Sequence, residues 1–208
     1  MTPMKKMVLI IDYGMGNTGS VQNALEAVGV TAKISADPRD LSSATHIILP
    51  GVGAFAECMR NLRERGFIEA LKQEVIVKRK PYLGICLGMQ ILASVGTEGG
   101  FTTGLGWIRG ETTRLVVEEQ RFPVPHVGWN DVVVQKESKL FSAITRPIFY
   151  FVHSFYFSPE DKSCIIAYTE YGQRFAVAVQ QDTIVGVQFH PEKSQNAGLS
   201  LLSNFMNL

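Results

Sequence analysis

The feature that most limits what this chain can fold into is a set of short apolar runs in its first half, each followed by a helical pattern. Met7 to Ile11 is continuously apolar and stops at Asp12, the signature of a strand covered on both faces. Ser20 to Val28 then places Val21, Ala24, Leu25 and Val28 at i, i+3, i+4 and i+7, and Gly29 supplies a stop. Val30 to Ser35 predicts a second strand and Ile47-Ile48-Leu49, ahead of Pro50, a third. Ala54 to Lys78 reads as helical material broken at Gly66, Tyr82 to Ile85 as a fourth strand, and Leu87 to Ser94 as a helix. Alternation of this kind predicts a mixed α/β fold with a largely parallel sheet flanked by helices.

From Trp107 the pattern changes. Thr112 to Val117, Val132-Val133-Val134, Ile148 to Val152, Ile165 to Thr169, Ala176 to Val179 and Ile184 to Phe189 are short strand-like runs between turn signals. They predict additional antiparallel strands in the second half, and Gly198 to Met206 predicts a closing helix. No internal repeat or Pro/Ser-rich linker divides the sequence, so a single domain over residues 1–208 is expected.

Composition narrows the partners. Lys plus Arg number 20 against 19 Asp plus Glu, a net charge of +1, and the longest like-charged run is Lys78-Arg79-Lys80. That balance argues against nucleic acid or an anionic membrane as partner. With 46% hydrophobic and 19% charged residues the chain can build a core, which excludes a disordered or fibrous protein. Cys58, Cys86 and Cys164 are odd in number and widely spaced, neither a disulfide framework nor paired zinc ligands. A reducing, cytoplasmic location is expected, with no metal and no cofactor. No stretch approaches the ~20 apolar residues of a membrane-spanning helix.

Gly14-Met15-Gly16-Asn17-Thr18-Gly19 is a literal G-x-G-x-x-G between a strand and a helix, with Asp37 near the end of the next strand-like run. Those are the conditions for a dinucleotide fingerprint. Glycines after a parallel strand also arise because the turn there is tight, so both readings stand at this point.

Gly84-Ile85-Cys86-Leu87-Gly88 carries stronger chemistry. A sharp turn from a buried strand into a helix, with small residues two positions to either side, is the geometry of a nucleophile elbow. Backbone N–H groups at a helix start favour thiolate over thiol. Cys58 and Cys164 lie in ordinary helix-like and strand-like surroundings and read as buried small hydrophobes. Of the four histidines, His46 reads as structural or exposed and His126 as a core residue, whereas His190 is followed by Pro191 and Glu192. If the strand runs on through Glu192, its period of two sets both side chains on one side and lets the carboxylate orient the imidazole. Leu87 N–H is a natural oxyanion donor, and Pro50-Gly51-Val52-Gly53 is a glycine-rich turn able to present a second.

Gly84-Ile85-Cys86-Leu87-Gly88-Met89-Gln90 resembles the nucleophile motif of the class I, or triad, glutamine amidotransferases, and Phe189-His190-Pro191-Glu192-Lys193-Ser194 resembles their His/Glu motif. Within that family the sequence is most similar to the glutaminase subunits of imidazole glycerol phosphate synthase, the HisH group. Asp12 to Asn17, Pro50 to Phe55, Pro125 to Asn130 and Tyr150 to Ser154 look like that group's own signatures, and the similarity runs from Met7 to the C-terminus.

The resemblance implies that Cys86 attacks the amide of L-glutamine, that His190 protonates the leaving ammonia and then activates water, and that Glu192 orients His190. It implies that Gln90, Glu98 and the backbone of His153, Ser154 and Phe155 hold the amino-acid end of the substrate. Gly51, Val52 and Gly53 become the oxyanion strand, with Val52 N–H the donor after rearrangement. The first glycine loop becomes part of a partner-facing surface rather than a dinucleotide site, and Asn17, Trp129, Asn130, Tyr150 and Lys193 fall at or near that surface. The implied partner is a (β/α)8-barrel cyclase, HisF, which uses the ammonia to form imidazole glycerol phosphate and aminoimidazole carboxamide ribotide (AICAR). Acceptor binding in that partner is expected to switch the glutaminase on. Two alternatives remain at this stage: a glutaminase serving a synthase of pyridoxal phosphate, anthranilate or guanylate, and an inactive nucleotide-binding or regulatory module of the same fold. Thr102-Thr103-Gly104-Leu105-Gly106 has no role in the resemblance.

Overall fold

Three of the runs of the first half become strands buried throughout, and the fourth, at the sheet's edge, is covered only in part. In the computed structural model, which describes residues 6–118 and 120–208, β1 (Val8–Ile11) is followed by α1 (Thr18–Ala27), β2 (Ala32–Ser35) and β3 (His46–Gly51). The helical stretch after Ala54 divides into α2 (Phe55–Glu64) and α3 (Phe67–Leu71), which runs on into a π-helical turn at Lys72–Val77. The break falls at Gly66, whose φ of +76° suits a residue without Cβ. Next come β4 (Tyr82–Cys86) and α4 (Leu87–Gln90).

In the second half lie β5 (Val95–Gly96), β6 (Thr102–Thr103), β7 (Gly110–Arg114), β8 (His126–Asp131), β9 (Val133–Val134), β10 (Ile148–His153) and β11 (Phe155–Pro159). They are followed by β12 (Ile165–Glu170), β13 (Arg174–Gln181), β14 (Ile184–Val187) and the closing helix α5 (Gln195–Phe205). The main sheet has the order β2-β1-β3-β4-β14-β13-β12-β9. Its first five strands are parallel and the remaining three pairings antiparallel, so the sheet is mixed as expected. β8 with β10, and β11-β7-β5-β6, form two smaller sheets.

Because strand side chains alternate, the two faces of the sheet build two cores. Val8, Ile10, Ile48, Leu83 and Ile85 pack with the inner faces of α1 and α5, whereas Leu9, Ile11, Ile47, Leu49 and Tyr82 pack with α2 and α3. The chain leaves β1 in opposite directions towards β2 and β3, and the clefts of such sheets open at the carboxyl ends of the strands near that reversal. Register brings Gly51, the last residue of β3, opposite Cys86, the last residue of β4. Among the described residues no helix is long and apolar enough to cross a membrane.

Several expected elements differ in extent. The helix after Cys86 stops at Gln90 rather than Ser94, because Leu92 and Ala93 N–H turn back to the carbonyls of Met89 and Gln90. The carbonyls that follow are taken by the 104–108 stretch: Gly104, Leu105, Gly106 and Ile108 donate to Ser94, Ile91, Ala93 and Leu92. This gives Thr102 to Gly106 a structural purpose, capping the turn beyond the short helix. β8 and β11 replace stretches without a predicted strand, and the inward positions of β8 include His126, as its reading as a core residue requires. The strand expected over Thr112 to Val117 ends at Arg114, the Val132 strand begins at Val133, and β14 ends at Val187.

The elbow allows very little space. A Cβ on Gly84 would stand 2.2 Å from Gly88 O, and one on Gly88 2.0 Å from Leu49 O, backbone against backbone in each case. Gly88→Ala is therefore expected to lower stability by about 3 kcal/mol, read as a fall in urea midpoint at unchanged m-value.

Candidate active site

Cys86 ends β4 with φ +55° and ψ −106°, a backbone geometry L-residues rarely adopt. That turn sets the sulfur at the mouth of a cleft of about 410 Å³, whose walls include Val52, Gly53, Leu87, Gln90, Glu98, His153, Ser154 and Phe155. Gly51 is buried beneath the cleft, its Cα against the Tyr13 hydroxyl and Leu87, while Val52 is 44% exposed at the rim. Leu87 opens α4, so its N–H has no intrahelical acceptor. α4 has only four residues, so the backbone N–H groups near the sulfur matter more than a helix macrodipole.

His190 and Glu192 come together by a turn, not by a continued strand. β14 ends at Val187, Pro191–Lys193 forms a 3-10 turn, and Glu192 Oε1 accepts from His190 Nδ1 at 2.8 Å. Both side chains are almost fully buried, at 3% and 1% exposure. With Nδ1 committed to the carboxylate, the buried Nε2 makes no hydrogen bond among the described residues and is free to act on the site. Burial alone would lower the imidazole pKa. The charge and hydrogen bonding of Cys86, then those of Glu192, outweigh it and hold His190 well above its ordinary value.

A residue the sequence reading passed over completes the environment of the sulfur. Gln188 is wholly buried, its Nε2 lies 3.5 Å from Cys86 Sγ, and its Oε1 accepts from Gln90 Nε2 at 3.2 Å. The available signal was a lone polar residue inside the apolar run Ile184 to Phe189, two positions before His190. Gln90 Nε2 also donates to Phe155 O at 2.8 Å, so its amide is held by the cleft wall. Glu98 Oε2 accepts from Phe55 N at 2.8 Å, which ties this rim carboxylate to the start of α2.

Behind Phe155 runs a second set of bonds whose direction is fixed. A carbonyl can only accept, so His153 Nδ1 donates to Phe155 O (2.9 Å) and His153 Nε2 accepts from His126 Nδ1 (3.0 Å). His126 Nε2 in turn accepts from Asn130 Nδ2 at 3.3 Å. Both rings are neutral. Burial pushes His126 down to about 4, and burial together with His126 pushes His153 down to about 3. His126 is stacked between Phe151 and Tyr171, consistent with its reading as a core residue.

Of the expected partner-facing residues, Trp129, Tyr150 and Lys193 do cluster. The Trp129 and Tyr150 rings meet edge-on at 6.1 Å, Lys193 Nζ lies 5.8 Å from the Tyr150 ring, and Trp129 is 48% exposed. Asn130 departs from that group. It alternates to the other face of β8, where its amide is spent on His126 and on Glu170 O. Asn17 is exposed and caps α1 by accepting from Ser20 N. The glycine loop before it packs on the oxyanion turn, since a Cβ on Gly16 would stand 2.9 Å from Pro50 O.

The family model described as glutamine amidotransferase class-I matches residues 9–208. The chain belongs to the class I glutamine amidotransferases. Two relatives place it in the HisH branch of that family. Imidazole glycerol phosphate synthase subunit HisH 1 of Campylobacter jejuni is 48% identical over 97% of this chain and 100% of its own length. The HisH subunit of Moorella thermoacetica is 46% identical over 97% and 94% respectively. In fold the amidotransferase resembles a solved PurLQS structure from Thermotoga maritima, with a TM-score of 0.75 at 18% identity over 98% of this chain and 99% of the other.

Two measurements probe this site through stability. In His126 and His153, and in His46, which burial and Lys6 push down to about 4, the unfolded chain takes up protons that the native chain does not. Stability is therefore expected to fall as pH drops from about 6.5 towards 4, by roughly 2 kcal/mol for each independently titrating ring, in urea titrations across that range. Cys86→Gly, which relieves the backbone strain, is expected to exceed Cys86→Ala in stability by about 1 kcal/mol in the same assay.

Proposed function

We propose that this amidotransferase is the glutaminase subunit of an imidazole glycerol phosphate synthase, a single cytoplasmic glutaminase domain that works with a cyclase subunit, HisF. The observation that carries the reading is Cys86 at its strained turn opposite Gly51, near enough to the buried His190–Glu192 pair to raise the imidazole's pKa, with His190 Nε2 left unpartnered among the described residues. Similarity to HisH subunits over nearly the whole chain supports the choice of synthase.

In the proposed reaction, Cys86 thiolate attacks the side-chain amide carbon of L-glutamine, and the carbonyl oxygen takes up the negative charge. Leu87 N–H and Val52 N–H are the donors for that oxyanion, and Gly51 and Gly53 give the Val52 peptide the freedom to turn inward. His190, held protonated by its two anionic neighbours, gives its proton to the departing nitrogen, so ammonia leaves and a glutamyl thioester remains. The neutral imidazole then takes a proton from water. The resulting hydroxide attacks the thioester carbon, and collapse of the second tetrahedral intermediate releases glutamate and restores the thiolate. Glu192 keeps the imidazole in the Nδ1–H form throughout.

Ammonia freed into neutral water is soon protonated and ceases to be a nucleophile, so a synthase must receive it directly. Trp129, Tyr150 and Lys193 form the exposed aromatic and cationic cluster at which HisF docks in this reading, with Asn17 on the glycine loop beside the oxyanion turn. The cyclase uses the ammonia to make imidazole glycerol phosphate and AICAR in histidine biosynthesis. Its acceptor is expected to raise glutaminase activity by positioning the oxyanion donor.

Glutamate release from glutamine, measured for the subunit alone and for the complex with HisF and acceptor, tests this directly. The expected result is activation of about 100-fold or more by the acceptor-loaded complex, and loss of all glutamine-dependent synthesis in Cys86→Ala. Equal rates with and without the loaded partner would overturn the gating, and full activity of Cys86→Ala the mechanism.

A further inference from the structure

Gln188 takes no part in the steps above, yet its buried amide has only one consistent orientation. Gln90 Nε2 carries hydrogens and donates to Phe155 O and to Gln188 at the same time. An amide nitrogen cannot accept, so the atom of Gln188 that meets Gln90 is its oxygen, and its NH2 group is turned to Cys86 Sγ. Reversing Gln188 would set two NH2 groups against each other and withdraw the donor from the sulfur. Gln90 cannot reverse to accommodate that, because the Phe155 carbonyl requires a donor from it.

We propose that Gln188 is a further catalytic residue of this site: its side-chain amide donates to Cys86 Sγ and holds the sulfur as an anion aimed between His190 and the cleft. The proposal rests on the reading of Cys86 as the nucleophile. An N–H bond to a thiolate is charge-assisted and stronger than one to a thiol, so the donor favours the reactive form. The donor occupies one side of the sulfur, and His190 Nε2, without a hydrogen-bond partner of its own among the described residues, is left free to turn its proton towards the leaving nitrogen. A glutamate in this place would set a negative charge against the sulfur. A methionine would leave both the sulfur and Gln90 without this partner.

The test is the rate of Cys86 carboxamidomethylation by iodoacetamide, followed by peptide mass spectrometry from about pH 5 to 9 on the full chain, for the wild type, Gln188→Met and Gln188→Glu. Melting temperature and glutaminase kinetics are measured on the same samples. In Gln188→Met the reactivity profile is expected to move about one unit to higher pH, a roughly ten-fold slower alkylation near pH 6. Gln188→Glu is expected to move it further, and in both kcat falls at least as steeply as alkylation while KM changes less than about three-fold. A purely structural Gln188 would lower the melting temperature and leave the profile of the folded protein in place. A wild-type profile in a folded Gln188→Met variant overturns the proposal, and if that variant does not fold, an unshifted profile in Gln188→Glu does so. If wild-type Cys86 is no more reactive than buried Cys58 and no glutamate is released even with HisF and its acceptor present, the nucleophile reading fails and takes the proposal with it.

Discussion

A cysteine backbone held at φ +55° persists only where the surrounding chain leaves it no other choice. Here that constraint is the contact of main chain with main chain at the top of the sheet. Gly88 lies against the Leu49 carbonyl, Gly84 against the Gly88 carbonyl, and Gly51 near the Gly88 N–H, so β3, β4 and α4 are locked closer together than side chains would permit. Everything else follows from this spacing. It turns the sulfur out of the sheet, sets the glycine-rich 51–53 turn next to it, and leaves the following helix room for barely one turn before the 104–108 stretch closes it off.

The second organising principle is the different use of buried histidines within a few residues of one another. His190 is buried beside Cys86 and Glu192, whose charge and hydrogen bonding hold its pKa above the ordinary value. His126 and His153 are buried among aromatic rings and each other, and are held neutral. Burial lowers the basicity of all three. Only the first has partners able to reverse it, which is why one ring is suited to proton transfer and the other two to a fixed hydrogen-bond direction.

Much of this was legible in the sequence, for identifiable reasons. Continuous apolar runs separated by helical periodicity specify a parallel sheet, and the elbow follows from glycines two positions either side of Cys86. The His190–Glu192 pair was also legible, although the assumed strand is in fact a turn with the same effect. Polar residues on inward faces were not. β8 carries His126 and Asn130 inward and Trp129 outward, so hydropathy conceals the strand, and it is the resemblance that sets Asn130 on the partner-facing side. Gln188 was hidden because its significance depends on Gln90, far away in sequence, and on which end of an amide meets which partner. Neither fact has a periodicity. The fourth apolar strand showed clearly in the sequence, whereas the length of the helix after it depended on carbonyls capped by a loop from elsewhere.

The Phe155 carbonyl is where two lines of hydrogen bonds meet head to head. One descends from Asn130 through His126 and His153, and the other begins at Gln90, which donates both to this oxygen and towards Gln188. A carbonyl oxygen has no proton to pass on, and an amide that donates on both sides has none to receive. The junction is thus an insulator: a proton arriving at His126 from the strand side has no wire to the sulfur. Among the described contacts, protons reach Cys86 from the His190 side or from whatever occupies the cleft, so the sulfur exchanges its proton on that side alone.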